Sequence, residues 1–205
     1  MPDGLLHEFI TLTLQHLFLV GIAMLLAALL AIPLGILVSR RAGWREWTLG
    51  TTNVMQTVPS LALFGFLIPV PVIGGIGPHT AIIALVLYAL LPMLRNTVTG
   101  LLNVDRNVRD SATALGMTEG ERLWQVELPL AAPTILAGVR IAAVTTIGTA
   151  TIAAAIGAGG LGVFIFRGLA AVDSLLLLVG AIPAAIMALA ADRVLEWVEQ
   201  ALSQH

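Results

Sequence analysis

Five apolar stretches, each about as long as a bilayer is thick, limit what this 205-residue chain can fold into. The first runs from about Thr11 to Val38, and the second from about Leu49 to Val70 with a polar first half. The third covers about Thr80 to Leu102, the fourth about Leu130 to Ile156 and the fifth about Ser174 to Val194. A helix of roughly 20 apolar residues crosses the hydrocarbon core, and inside that core every backbone N–H and C=O must find its partner within the protein. Such runs therefore predict helices. With 58% hydrophobic residues, 11% charged residues and a mean hydropathy of +0.97, the chain has too little polar surface for a water-soluble globule, whose charged share is about a quarter. Its solvent is lipid. A cleaved signal peptide is the competing reading of the first stretch, but no basic segment precedes it and the run is too long for an h-region. It is read as a retained span.

Charge excludes several function classes. The net charge is −2, the cations are all arginine, and they form no dense run of the kind nucleic-acid binding needs. There is no cysteine, and His7, His16, His79 and His205 lack ligand spacing, so neither disulfides nor a metal site is expected. A phosphate-binding Walker loop ends in Lys followed by Ser or Thr. A chain without lysine cannot have one. No linker, low-complexity tract or internal repeat divides residues 1–205, which read as a single membrane domain.

Orientation follows from the arginines, because positively charged short loops stay in the cytoplasm. Arg40, Arg41 and Arg45 follow the first stretch, Arg106, Arg109 and Arg122 separate the third from the fourth, and Arg193 ends the fifth. Trp44, Trp47, Trp124 and Trp197 lie beside the same ends, where amphipathic rings favour the headgroup layer. Only Arg167 falls in a loop assigned outside. The expected topology is N-terminus out and C-terminus in.

A polar island, about 103–129, interrupts the lipid-soluble pattern on the cytoplasmic side. Ser111, Ala112 and Ala114 give its first predicted helix a small-residue face, with Asp110 placed at the first turn. Gly116 permits a turn after Leu115. Thr118 to Gln125 then predict a second short helix, with Thr118 as cap and Glu121 at its third position, a capping-box pattern. Leu128 and Pro129 are expected to stop that helix and redirect the chain into the fourth span. Asp110-Ser111-Ala112, with Gly116 four positions on and Val126-Glu127-Leu128-Pro129 beginning ten beyond the glycine, resembles the cytoplasmic coupling signature of ABC importer permeases. Aspartate stands where glutamate is more usual, and serine where the first alanine is. The resemblance implies docking to a separate ATPase; an ordinary amphipathic loop is the bland alternative.

Further segments narrow the family. Gln56-Thr57-Val58-Pro59-Ser60-Leu61-Ala62, Leu87-Tyr88-Ala89-Leu90-Leu91-Pro92-Met93-Leu94-Arg95-Asn96-Thr97, and Ile147-Gly148-Thr149-Ala150-Thr151-Ile152-Ala153 with Gly157 to Gly162 resemble permeases that import glycine betaine, choline, carnitine and related osmoprotectants. The resemblance covers roughly Gln56 to Arg193. It implies an all-α membrane protein with five transmembrane helices and a type I (MetI-like) permease fold. It also implies pairing with a second permease copy, two ATP-binding subunits and a periplasmic or lipid-tethered binding protein, which is expected to be a separate chain. ATP and Mg would be bound by the ATPase, with no cofactor here. A methionine or other small-solute importer is the runner-up.

Polar groups inside the spans carry two readings. Gln56, Thr57 and Ser60, and likewise Asn53 and Gln56, fall on nearly one helical face, which is costly to expose to lipid. With Tyr88, Asn96, Thr149 and Thr151 they are candidates for a solute pathway, or else they bond helix to helix. Arg95 and Arg140 are expected to snorkel or to pair with acidic groups. From Thr145 to Gly162 the chain is mostly Gly, Ala, Thr and Ile, suited to close packing or to a passage. Its glycine run is expected to end the fourth span and begin a re-entrant or outer-surface segment reaching Asp173. His16 reads as a packed, hydrogen-bonded neutral histidine rather than a proton relay. No pair of carboxylates shares an intramembrane face, which speaks against an intramembrane protease. A membrane scaffold or enzyme would be told apart by whether an ATPase co-purifies.

Labels engineered near Arg41, Gly120 and Gln204 should react only from the cytoplasmic side, and labels near Gly75 and Val172 only from outside. An externally reactive Gly120 position would reverse the topology.

Overall fold

Alanine and glycine set the spacing of the helices. The structure, a computed structural model, describes residues 2–203 and is helical throughout, with no strand among them. Helix α1 (Pro2–Ser39) buries a seam at His16, Leu19, Ala23, Ala27, Ala31, Gly35 and Val38, three or four residues apart, the spacing of one helical face. This seam meets α4 (Pro78–Leu102), where Ala81, Ala84, Leu85, Ala89 and Met93 are buried. Helix α7 (Leu128–Ile152) packs on α4 through Ala131, Ile135, Gly138, Ala142, Thr146 and Ala150. In lipid no hydrophobic force drives helices together, so small side chains that let backbones approach become the main source of cohesion. A Cβ on Gly35 would lie 2.7 Å from Thr97, and one on Gly138 would lie 2.5 Å from the Asn96 Cβ. Both glycines are contact points.

Helix α9 (Ser174–Ser203) packs against α7 and, with α8 (Gly162–Ala171), forms a hairpin. Gly168 faces the Leu177 backbone, and a Cβ on Gly180 would sit 2.6 Å from the Leu161 carbonyl. The turn between α8 and α9 uses Val172 in the left-handed region, and Asp173 caps α9 by accepting from the Leu175 and Leu176 amides at 3.0 and 3.1 Å. The opposite face of the bundle is apolar and open, with Leu6 at 61% exposure on α1 and Leu175 at 77% on α9. That is the lipid surface.

The expected second span is not one helix. It forms α2 (Ala42–Gln56) and α3 (Ser60–Leu67), broken at Thr57 to Pro59. Proline disfavours helical geometry in the residue before it and lacks an N–H, and Pro59 stands in extended geometry as the residue preceding α3. Among the described residues four helices are therefore long and apolar enough to cross a membrane: Gly4–Ser39, Pro78–Leu102, Glu119–Ile156 and Ser174–Leu202. Neither α2 nor α3 has that length.

The glycine run after α7 behaves as expected of it. A 3₁₀ turn, Ala153–Ile156, is followed by Gly157, Gly159 and Gly160, all at positive φ, and then by the ten-residue α8. This segment folds back on the start of α1. Gln15 accepts from the Gly160 amide at 3.2 Å, Phe9 stacks on Phe164 at 6.4 Å, and Glu8 pairs with Arg167.

A methyl group on Gly162 would meet the Thr151 carbonyl oxygen at 1.8 Å, whereas one on Gly21 meets nothing within 4 Å. Gly162→Ala should therefore destabilise the purified protein by about 1–3 kcal/mol through overpacking. Gly21→Ala should be neutral or stabilising by up to about 1 kcal/mol. Thermal unfolding in detergent ranks the two.

Candidate functional site

The polar segment folds as a short helical elbow at the arginine-rich end of the bundle. Helix α5 (Arg106–Ala114) is capped by Asp105, whose carboxylate accepts from the Asn107 amide at 2.8 Å. Asp110 is thus not in the first turn, as expected, because the helix begins earlier; it sits mid-helix, exposed, 3.6 Å from Arg106 one turn back. Arg109 reaches the other way and donates to the Leu101 and Leu102 carbonyls at the end of α4. Gly116 turns the chain at φ +85°, a conformation open to glycine and costly for other residues.

The capping box forms as the sequence spacing requires. Thr118 Oγ1 accepts from the Glu121 amide, and the Glu121 carboxylate accepts from the Thr118 amide at 2.8 Å, opening α6 (Glu119–Arg122). The Thr118 backbone and then its hydroxyl hold the Glu121 carboxyl below its ordinary pKa. A depressed carboxylate contributes stability above its unfolded pKa and loses it as pH falls through the folded value. The cap is intact at neutral pH.

Beyond α6 the helix does not stop. Leu123–Glu127 form a π-helical turn that runs directly into α7, with Leu128 and Pro129 in its first turn. The expected break at Leu128-Pro129 is thus corrected: the helix continues through the proline, and the wide π-turn, in which the Leu128 amide donates to the Leu123 carbonyl, carries the chain into α7. Glu127 is 2% exposed. Its Oε2 accepts from Arg40 Nη2 at 2.6 Å and its Oε1 from Arg122 Nε at 3.0 Å, while Arg122 Nη1 donates to Thr113 Oγ1 at 2.9 Å. Sequence reading passed over this carboxylate. The signal was an acidic residue just before Leu-Pro, but its partner Arg40 lies 87 positions away.

Of the expected docking residues, Asp110, Ser111, Ala114, Leu115, Gly116, Glu121 and Pro129 are exposed, and Val126 and Leu128 are half-buried. Ala112 is buried at 5% exposure, so it packs inward rather than joining an open small-residue face. Ser111, Ala112, Leu115, Met117 and Val126 line an apolar groove of about 360 Å³, and Leu115 stands 82% exposed at its edge.

The expected pathway residues separate into groups. At the α2–α3 break, Tyr88 Oη donates to the Val58 carbonyl at 2.6 Å, tying α4 to the chain between Thr57 and Ser60. Thr57 Oγ1 donates to the Val54 carbonyl at 2.7 Å. The single polar face drawn through Gln56, Thr57 and Ser60 is interrupted, because the helix ends between them. The side chains of Asn53 and Gln56 lie outside the described residues. Asn96 is spent on its own helix, donating to the Pro92 carbonyl at 2.9 Å. On α7, Thr149 and Thr151 are half-buried, and Thr151 Oγ1 donates to the Gly148 carbonyl at 2.7 Å. Exposed on the same helix are Ile141, Thr145 and Gly148, an open stripe that sequence reading did not separate from the small residues around it.

Two charged or titratable groups fall as follows. Arg140 on α7 faces Asp192, Glu196 and Glu199 of α9 at 3.8, 3.8 and 3.5 Å, the acidic pairing expected of it. His16 is packed and fully buried, but neither ring nitrogen meets hydrogen-bond geometry, although the Ile147 backbone lies beside it. The polar group beside the ring is thus a backbone group of α7, where the sequence predicted a hydrogen-bonded histidine. No group of three or more His, Cys, Asp or Glu among the described residues is placed to hold a metal ion.

Known proteins resemble this chain in sequence and in fold. The glycine betaine/carnitine/choline transport system permease protein OpuCD of Bacillus subtilis is 44% identical over 190 residues, covering 92% of this chain and 82% of that protein. The carnitine transport permease protein OpuCB of Listeria monocytogenes is 44% identical over 197 residues, 96% of this chain and 89% of its own. The osmoprotectant import permease protein OsmW of Salmonella typhimurium is 41% identical over 195 residues, 94% and 91% of the two chains. Among solved structures, an inward-facing conformation of the MetNI methionine ABC transporter superposes with a TM-score of 0.86 at 21% identity, over 98% of this chain and 99% of that one. That likeness establishes the fold, an all-helical MetI-like permease. Residues 28–204 match the family model for the binding-protein-dependent transport system inner membrane component, and the chain belongs to that family.

Proposed function

We propose that the chain is the transmembrane permease of an ATP-driven importer for quaternary-ammonium osmoprotectants such as glycine betaine, choline or carnitine. One observation carries the solute class: relatives named for carnitine, or for glycine betaine, carnitine and choline, are 44% identical, and one named for osmoprotectant import is 41% identical, each over more than nine-tenths of the chain. A methionine importer, the alternative, shares the fold at 21% identity. The subunit is not an enzyme; ATP hydrolysis is in a separate partner, which binds ATP and Mg.

The broken pair α2 and α3 together make a fifth crossing, with its break inside the membrane. The N-terminus lies outside and the arginine-rich end in the cytoplasm, as charge placement supports. A second permease copy, identical or homologous, closes the pathway about a two-fold axis, and lipid surrounds the pair. Two ATPase subunits dock on the elbow of residues 103–129, where Ser111, Leu115 and Val126 offer the apolar groove. A separate binding protein delivers the osmolyte on the opposite side, and nucleic acid has no part. ATP binding draws the ATPase halves together, the elbow moves with them, and the two bundles rock between inward-open and outward-open states.

The pathway is weakly polar and uncharged. Ammonium groups are held tightly by aromatic cages, at about 0.5–2 kcal/mol per contact, yet the four tryptophans cluster at the arginine-rich end and Tyr88 is the single tyrosine. Candidate lining is therefore Asn53, Gln56, Thr57, Ser60, Tyr88, Asn96, Thr149 and Thr151. Glycine betaine, choline or carnitine should bind the purified permease only at millimolar concentration or not measurably, and bind the separate binding protein far more tightly. Submicromolar binding to this chain alone, read by calorimetry, contradicts the proposal.

Gly116 tests the docking. With open space around it and φ at +85°, a side chain costs backbone strain and not a clash. Gly116→Val should cost roughly 1–2 kcal/mol locally, leave membrane insertion intact, and abolish transport or release the ATPase on purification. Full transport by Gly116→Val would remove the elbow from the coupling.

A further inference from the structure

An elbow that receives motion from an ATPase must hand it to a membrane helix, and one buried charge joins the elbow to α1. The Glu127 side chain is 3% exposed, and both of its oxygens are engaged by Arg40, which follows α1, and by Arg122 of α6. A carboxylate taken out of water is held only where cations and donors replace its hydration. The two guanidiniums do so together, Arg40 on both oxygens and Arg122 on Oε1. Arg122 continues the connection to Thr113 of α5, so a single anion binds the end of α1, the π-turn, α6 and α5 together. Alongside it a groove of about 690 Å³, lined by Leu37, Arg40, Glu119 and Gly120 among others, separates the last turns of α1 from α6. Ile36 of α1 and Leu123 and Leu128 beside the elbow pack on one apolar cluster with Leu101, Val104, Ala131 and Ile135, and Glu127 adds the directional, charged tie between them.

We propose that Glu127 is a positioning residue that locks the elbow to the end of α1, so that displacement of the elbow by the ATPase is carried into α1 as one body. The inference rests on the docking role proposed above for residues 103–129. It assigns to an acidic residue outside the docking face the step between ATP binding and helix movement.

The test uses the complex reconstituted in liposomes with its ATPase and binding protein, and reads glycine betaine moved per ATP hydrolysed. Glu127→Gln keeps the side chain's size and removes its charge; Arg40→Gln with Glu127→Gln removes both ends of the α1 contact. Each should lower solute moved per ATP at least fivefold in a complex that still assembles. Spin labels at Leu37→Cys and Gly120→Cys report the lock directly: their separation should stay constant between ATP-free and ATP-bound states with Glu127 present, and change by several ångström with Glu127→Gln. An unaltered ratio in both variants, a separation already variable with Glu127 present, or failure of both variants to assemble would overturn the proposal. Leu115→Glu, at the exposed edge of the docking groove, separates the two readings. Retention of ATPase and transport by Leu115→Glu defeats the docking role, whereas ATPase release by Leu115→Glu with unaltered coupling in Glu127→Gln defeats only the lock.

Discussion

Everything in this subunit depends on how closely α1, α4 and α7 can approach. Water does not push their faces together, because the alternative neighbour for a leucine is a lipid tail of equal polarity. What remains is dispersion between atoms in contact, and each contact is worth only about 0.1–0.2 kcal/mol. The seam through Ala23, Ala27 and Ala31, all fully buried, brings backbone to backbone and raises the number of such contacts. Gly35 against Thr97 and Gly138 against Asn96 extend the same approach toward the arginine-rich end. Many leucines of α1 and α9 are turned outward, where lipid accommodates any shape, while Leu19, Leu85 and Met93 fill the space between the helices.

That arrangement leaves polar contacts to define where the bundle is joined to its moving parts. At one end α8 is held to α1 by Gln15 on the Gly160 amide and by Glu8 with Arg167. At the other, Glu127 gathers Arg40 and Arg122, and Arg140 stands among three carboxylates of α9. Directional bonds concentrate at the two ends of the bundle, where short elements join the long helices.

Much of this was legible in the sequence. Apolar length announced the spans, the Thr118 and Glu121 spacing announced a capping box, and the positive φ of Gly116 follows from a turn that needs glycine. Three things were not. Pro59 was visible, but periodicity could not say whether its helix kinks or ends, and the choice rests on Tyr88 reaching the Val58 carbonyl from α4. Asp110 looked like a first-turn residue because Asp105, the actual cap, lies outside the motif that draws the eye. Glu127 was hidden among motif residues because its meaning comes from Arg40, and contact across 87 positions leaves no local trace.

The π-turn at Leu123–Glu127 carries a consequence for insertions and deletions. Such a turn holds one more residue than an α-turn, and each residue of an α-helix advances the chain by about 100° around the axis. Because the bulge absorbs its extra residue, removing one residue between 123 and 127 would close it into an ordinary α-turn and leave α5 and α6 facing nearly as before. A removal elsewhere in the helix would swing them by roughly that angle about α7. The hydrophobic faces on α7 would be unaffected, since they lie after the bulge. The stretch before α7 can thus lose one residue while the elbow keeps its direction, a tolerance that an unbroken α-helix would lack.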